Sequence, residues 1–167
     1  WILKASVDAN RLAGLQPFIE SGRLTGVTGP TALVVNPKPG YGYLVGTNMG
    51  PPGDDRDSVL VFYSPYSGRI ALQLKLELYD VVALAYSPSG NLYAADFAWR
   101  RPEEGGIYRI DQTLVDGRQA CQPVKIAEIR RPTGLAFTDD ATMWATSFGE
   151  GDDQQPHGEL IRVRGEF

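Results

Sequence analysis

A chain of 167 residues can fill one domain and bury a sizeable core, and 43% hydrophobic against 22% charged residues excludes wholesale disorder. A net charge of −4 and a pI near 5.0 provide no basic face for nucleic acid, no apolar run approaches the roughly 18 residues of a membrane span, and the opening WILKASVD lacks the regions of a signal peptide. The single Cys121 excludes an intrachain disulfide and a zinc site built from several thiolates, and leaves the compartment open.

In chain order, Lys4 to Asp8 reads as a strand worded like the later Ile107 to Asp111, and Leu15 to Ser21 as a second strand. A helix over Asp8 to Glu20 competes, but Gly14 and Pro17 interrupt it. Three segments then align: TALVVNPKPGYGYLVGTNMG from Thr31, VALAYSPSGNLYAADFAW from Val82 and TGLAFTDDATMWATSFGE from Thr133. Leu33, Leu84 and Leu135 correspond at two equal intervals of 51 residues, a periodicity that defines a repeat architecture.

Each copy opens with a small apolar strand (Ala32 to Val35, Ala83 to Tyr86, Gly134 to Phe137), expected to be buried on both faces. A turn rich in Pro, Gly, Asn or Asp follows (Asn36 to Gly40, Ser87 to Asn91, Thr138 to Ala141). Second strands over Tyr43 to Thr47, Leu92 to Ala95 and Met143 to Thr146 are closed by Asn48, Asp96 and Ser147. After a longer polar loop come alternating third strands, Val59 to Tyr63, Ile107 to Asp111 and Leu160 to Arg164. Fourth strands are expected over Ile70 to Leu78 and Val124 to Ile129, and the last copy shows none. The resulting division is 1–27 as outer strands of a preceding unit, 28–78 and 79–130 as full units, and 131–167 as an incomplete one.

Ser87-Pro88-Ser89-Gly90-Asn91-Leu92-Tyr93-Ala94-Ala95-Asp96 resembles the signature of NHL-repeat propellers, and Gly105-Gly106-Ile107-Tyr108-Arg109-Ile110-Asp111 resembles a third-strand phrase of gluconolactonase or senescence-marker propellers. The resemblance implies an all-β fold, a β-propeller of four-stranded antiparallel blades, with about three blades here, half of a six-bladed ring. Two arrangements account for half a ring: a segment of a longer chain, the favoured expectation, or two copies, or a second chain, completing the ring.

In such a fold the second-to-third-strand loops surround the channel mouth. They carry Asp54, Asp55 and Asp57, then Glu103 and Glu104, then Glu150, Asp152 and Asp153, with Arg56, Arg100 and Arg101 interleaved. Acidic loop tips are read first as solvated surface and second as oxygen ligands for calcium or another divalent cation. The resemblance implies a channel-mouth metal in lactonase-like relatives, with Asp96 and Asn48 the partial match and Ser147 a poor ligand. The competing reading is that all three cap their strands through nearby backbone.

His157 is the sole histidine, and its place between Pro156 and Gly158 reads as surface. Cys121, expected in the third-to-fourth loop, reads as a bystander thiol. Among the aromatics, Tyr41, Tyr43, Tyr63, Tyr66, Phe97, Trp99 and Phe148 are candidates for a recognition surface, but Phe97 and Phe148, with Met49 at the same repeat position, are expected to plug the gap between blades, and Tyr63 and Tyr66, flanking a turn, are ambiguous. Trp99, beside Arg100 and Arg101, is expected to be exposed and to contact a partner. The leading expectation is therefore a non-catalytic segment whose loop face meets a protein or small molecule. The alternative is a divalent-metal lactone or ester hydrolase.

Overall fold

The computed structural model describes residues 1–38, 40, 42–149 and 157–167. Four antiparallel sheets follow one another along the chain. The first is a hairpin of β1 (Ile2–Asp8) and β2 (Arg11–Ile19), after which α1 (Ser21–Thr25) leads to the second sheet. The second contains β3 (Gly29–Val35), β4 (Leu44–Met49), β5 (Val59–Tyr63) and β6 (Ile70–Lys75). The third contains β7 (Val81–Tyr86), β8 (Leu92–Asp96), β9 (Gly106–Val115) and β10 (Arg118–Ala127). The fourth has β11 (Pro132–Phe137), β12 (Met143–Ser147) and β13 (Glu159–Val163). With β3 beside β7 and β7 beside β11, the sheets are successive blades of a β-propeller. No helix among the described residues is long and apolar enough to cross a membrane.

The repeat is visible in the hydrogen bonding. A bulge interrupts the first strand at Pro30/Ala32, Val81/Ala83 and Pro132/Gly134, the same place in each copy. At the following turns Asn36 Oδ1 accepts the Lys38 N–H, Ser87 Oγ accepts the Asn91 N–H, and the Thr138 hydroxyl donates to the Thr142 carbonyl. These short side chains hold the turn in place of a ladder bond.

Two seams hold the three larger sheets together. Across the first, Val45, Leu60, Leu76 and Leu78 meet Val81, Leu84, Leu92, Ala94 and Ile110. Across the second, Tyr93, Ala95, Ile107 and Ile129 meet Met143 and Ala145, with Phe137 and Phe167 packed against them. Each fully buried Val, Leu, Ile or Met among them stabilises by about 1.5–3 kcal/mol. The hairpin joins this stack through Ile19, which packs with Val59, Val61 and Tyr63.

Several expectations need correction. Strand β6 ends at Lys75 because Glu77 takes a positive φ of 53°; Leu76 and Leu78 remain buried beyond it. The β9–β10 hairpin is longer than expected, turning at Asp116 and Gly117 with φ of 51° and 72°, the mirror-image turn that suits strand twist. Cys121 therefore lies within β10 rather than in a loop, and its thiol donates to the Lys75 carbonyl at 3.1 Å. Strand β3 is not covered on both faces: Leu33 and Val35 are 44% and 63% exposed, since no described strand packs over them.

Candidate functional site

The ends of β4, β8 and β12 bring Asn48, Asp96 and Ser147 to equivalent buried positions. Each side chain is tied to the backbone leading into the first strand of its own sheet. Asn48 Nδ2 donates to the Val27 carbonyl at 2.8 Å, and Ser147 Oγ donates to the Arg130 carbonyl at 3.1 Å while accepting the Gly149 N–H. Asp96 performs the same task as an acceptor, receiving the Asp80 N–H at 2.7 Å, the Tyr79 N–H at 3.1 Å and the Ala98 N–H at 3.3 Å. Three chemistries thus serve one mechanical purpose, joining the end of the second strand to the entry of the first.

A residue overlooked in the sequence stands beside Asp96. Asp80 is almost fully buried, and its Oδ2 accepts the Trp99 N–H at 2.6 Å while its carbonyl accepts the Phe97 N–H. The copies hold Gly29 and Arg131 at its place, so the difference among repeats was the available signal. Burial pushes both carboxyls above the usual range. For Asp96 the three backbone N–H groups oppose the shift and the Asp80 charge adds to it; for Asp80 the Trp99 N–H opposes and the Asp57 charge adds. Two carboxyls are thereby set side by side in a site that disfavours their ionisation.

Asp80 also fixes the loop that displays Trp99. The indole is 57% exposed and stacks on buried Phe97, with ring centroids 5.3 Å apart. Phe148 meets Phe97 edge-on at 6.5 Å but is 53% exposed, so it does not plug the core as expected; Phe97 does. Gly149 after it has a φ of 77° and lies against the backbone of His157, where any Cβ would collide. His157 itself is exposed.

The charged loops are cross-linked rather than simply solvated. Arg56 Nη2 donates to Glu104 Oε2 at 2.6 Å, and the Tyr79 hydroxyl donates to the same oxygen at 3.0 Å. Arg101 bridges Glu104 and Asp54, and Arg100 lies 3.9 Å from Asp54. The Arg56 guanidinium also covers the Tyr79 ring, 4.8 Å from its centroid. The Tyr79 hydroxyl, then Arg56 and Arg101, hold the Glu104 carboxyl below its usual range. Asp57 accepts the Gly50 N–H within its own loop, and Asp55 is exposed.

Asp152 and Asp153, with Glu150 and Tyr41, lie outside the described residues. Among the described residues no three of His, Cys, Asp and Glu gather as a metal-ligand set. The Cys121 thiol is pushed up to about 11, chiefly by burial and further by the charge of Glu77, which suits a packing role.

These sheets define a β-propeller, and one solved structure agrees on the fold. A candidate oxidoreductase (glucose dehydrogenase) from Thermus thermophilus superposes with a TM-score of 0.54 at 17% identity, over 81% of this chain and 45% of its own. A candidate gluconolactonase superposes with a TM-score of 0.48 at 18% identity, over 71% of this chain and 41% of its own. The chain thus spans less than half the length of either. No family model and no curated protein matches it.

Proposed function

We propose that the chain is a non-catalytic β-propeller segment that binds a protein or small-molecule partner through its loop face, with Trp99, Arg100 and Arg101 at the contact. The supporting observation is a contrast at that face: Asn48, Asp96 and Ser147 are engaged in bracing their own sheets, whereas the Trp99 indole stands exposed on the Phe97 ring. A tryptophan backed by a second ring and rimmed by charge offers rigid apolar area of the kind that dominates binding energy. On this reading Trp99→Ala leaves the melting temperature within about 2 °C of the parent. A loss as large as that of Phe97→Ala would make Trp99 structural instead. Calcium, manganese, zinc and EDTA should each leave the melting temperature unchanged.

The buried pair of Asp80 and Asp96 favours a second reading, a divalent-metal lactone or ester hydrolase. A cation would relieve the cost of burying two carboxylates, and a bound metal can activate water against an acyl carbon. Its mark would be a melting temperature that rises with one of those ions and no longer does so in Asp80→Asn, together with hydrolysis of an aliphatic δ-lactone that the same substitution abolishes.

A further inference from the structure

Three successive amides hold the loop that displays Trp99. The Phe97 N–H donates to the Asp80 carbonyl at 2.9 Å, the Ala98 N–H to Asp96 Oδ1 at 3.3 Å and the Trp99 N–H to Asp80 Oδ2 at 2.6 Å. The repeat separates what belongs to the scaffold from what belongs to this loop. In the fourth sheet the Phe148 N–H likewise donates to the Arg131 carbonyl at 3.0 Å and the Gly149 N–H to Ser147 Oγ at 2.9 Å, so the first two bonds recur. The third bond cannot form in either of the other copies. Arg131 stands at the place of Asp80 in the fourth sheet and its guanidinium has no acceptor atom; in the second sheet Gly29 has no side chain and Pro51, at the place of Trp99, has no amide hydrogen.

Two costs are confined to the same copy. Ala98 takes a φ of 47°, in the left-handed region, at a position where Gly50 and Gly149 stand in the other copies. Asp80 is 4% exposed beside Asp96, and burying a second carboxyl there opposes folding. A strained alanine and a buried acid thus coincide in the one repeat whose loop carries an exposed tryptophan stacked on a core ring. We infer that Asp80 is a positioning residue for the partner contact: its side chain sets the Trp99 indole in a single pose on Phe97 before any partner arrives. The inference rests on the reading of Trp99 as that contact. A ring already in place spares the partner the cost of ordering the loop, so Asp80 acts on affinity without touching what binds.

The experiment follows Trp99 alone, in a full chain carrying Trp1→Phe and Trp144→Phe. With Asp80 present, the Trp99 anisotropy should decay only with the tumbling of the whole particle. Asp80→Ala should add a nanosecond component of the loop's own and raise acrylamide quenching of the indole about twofold. The melting temperature should meanwhile stay at or above that of the parent, because a buried acid has been removed. Asp80→Asn keeps an oxygen that can accept the Trp99 N–H, and it should restore the parent decay. A Trp99 as immobile in Asp80→Ala as in the parent would overturn the proposal. So would an Asn variant as mobile as the Ala variant, since the acceptor oxygen would then not be what holds the ring. A melting temperature that falls in step with the mobility would place Asp80 in the scaffold instead. These decays are read without a partner, so they stand apart from the contact reading, which fails separately if Trp99→Ala melts as low as Phe97→Ala.

Discussion

The two seams of the stack solve the same packing problem with different chemistry. Across the first, leucines are reinforced by polar bonds: Thr31 to the Val81 carbonyl, Ser58 to the Tyr79 carbonyl at 2.7 Å, Cys121 to the Lys75 carbonyl, and Arg56 to Glu104. Across the second, rings dominate, with Tyr93 packed 5.2 Å from Phe137 and 5.8 Å from Phe167. The first seam fixes both the spacing of the sheets and their registration, since each hydrogen bond has a direction. The second supplies cohesion with looser orientation. The candidate site is built on the directed seam, where loop positions must be reproducible.

The largest test of this contrast removes the aromatic seam. Tyr93→Ala should cost about 4 kcal/mol by leaving a large cavity, measured as a fall in the urea midpoint, and the loss should be indifferent to salt. Next comes the buried acid pair. Because burial raises the folded-state values of Asp80 and Asp96, the folded chain holds more protons than the unfolded chain between the ordinary carboxylate range and those raised values. In that window their contribution makes stability rise as pH falls. Asp80→Asn should flatten this part of the pH profile, followed by the urea midpoint from neutral pH downward. A profile unchanged by the substitution would show that Asp80 ionises freely.

Smaller still is the loop network at the first seam. Glu104→Gln should lower the melting temperature slightly at low salt and not at all at about 1 M salt, where exposed charges are screened. Because its carboxyl is held low, Glu104 acts opposite to the acid pair, its share being lost as pH falls through the lowered value. The smallest effect concerns Tyr63, whose hydroxyl is fully buried with no hydrogen-bond partner. Tyr63→Phe should be neutral or slightly stabilising in the same melts, because it removes an unpaired polar atom without changing the ring.

The blade pattern was legible because it lies within 20 residues of chain: an apolar strand, a turn and a second strand closed by one polar residue, repeated at 51-residue intervals. The site was less so, for physical reasons. Arg56 and Glu104 are 48 residues apart and meet only because neighbouring sheets bring their loops together. Phe148 and Phe97 are equivalent in sequence, yet their exposure differs with the surroundings of each sheet. Asp80 lies just before β7, at the junction of two repeats, where no pattern shared among the copies marks it. The Asp116-Gly117 turn carried a clear local signal, and reading it would have placed Cys121 in a strand.

The bulge at Pro30/Ala32, Val81/Ala83 and Pro132/Gly134 has a geometric consequence. A bulge adds twist at one point along a strand. Placed at the same height in every inner strand, it gives each of those strands the same local twist. The three inner strands are therefore alike where neighbouring sheets meet. Deleting that residue in one copy would change the local twist of its inner strand and so its fit against the next sheet.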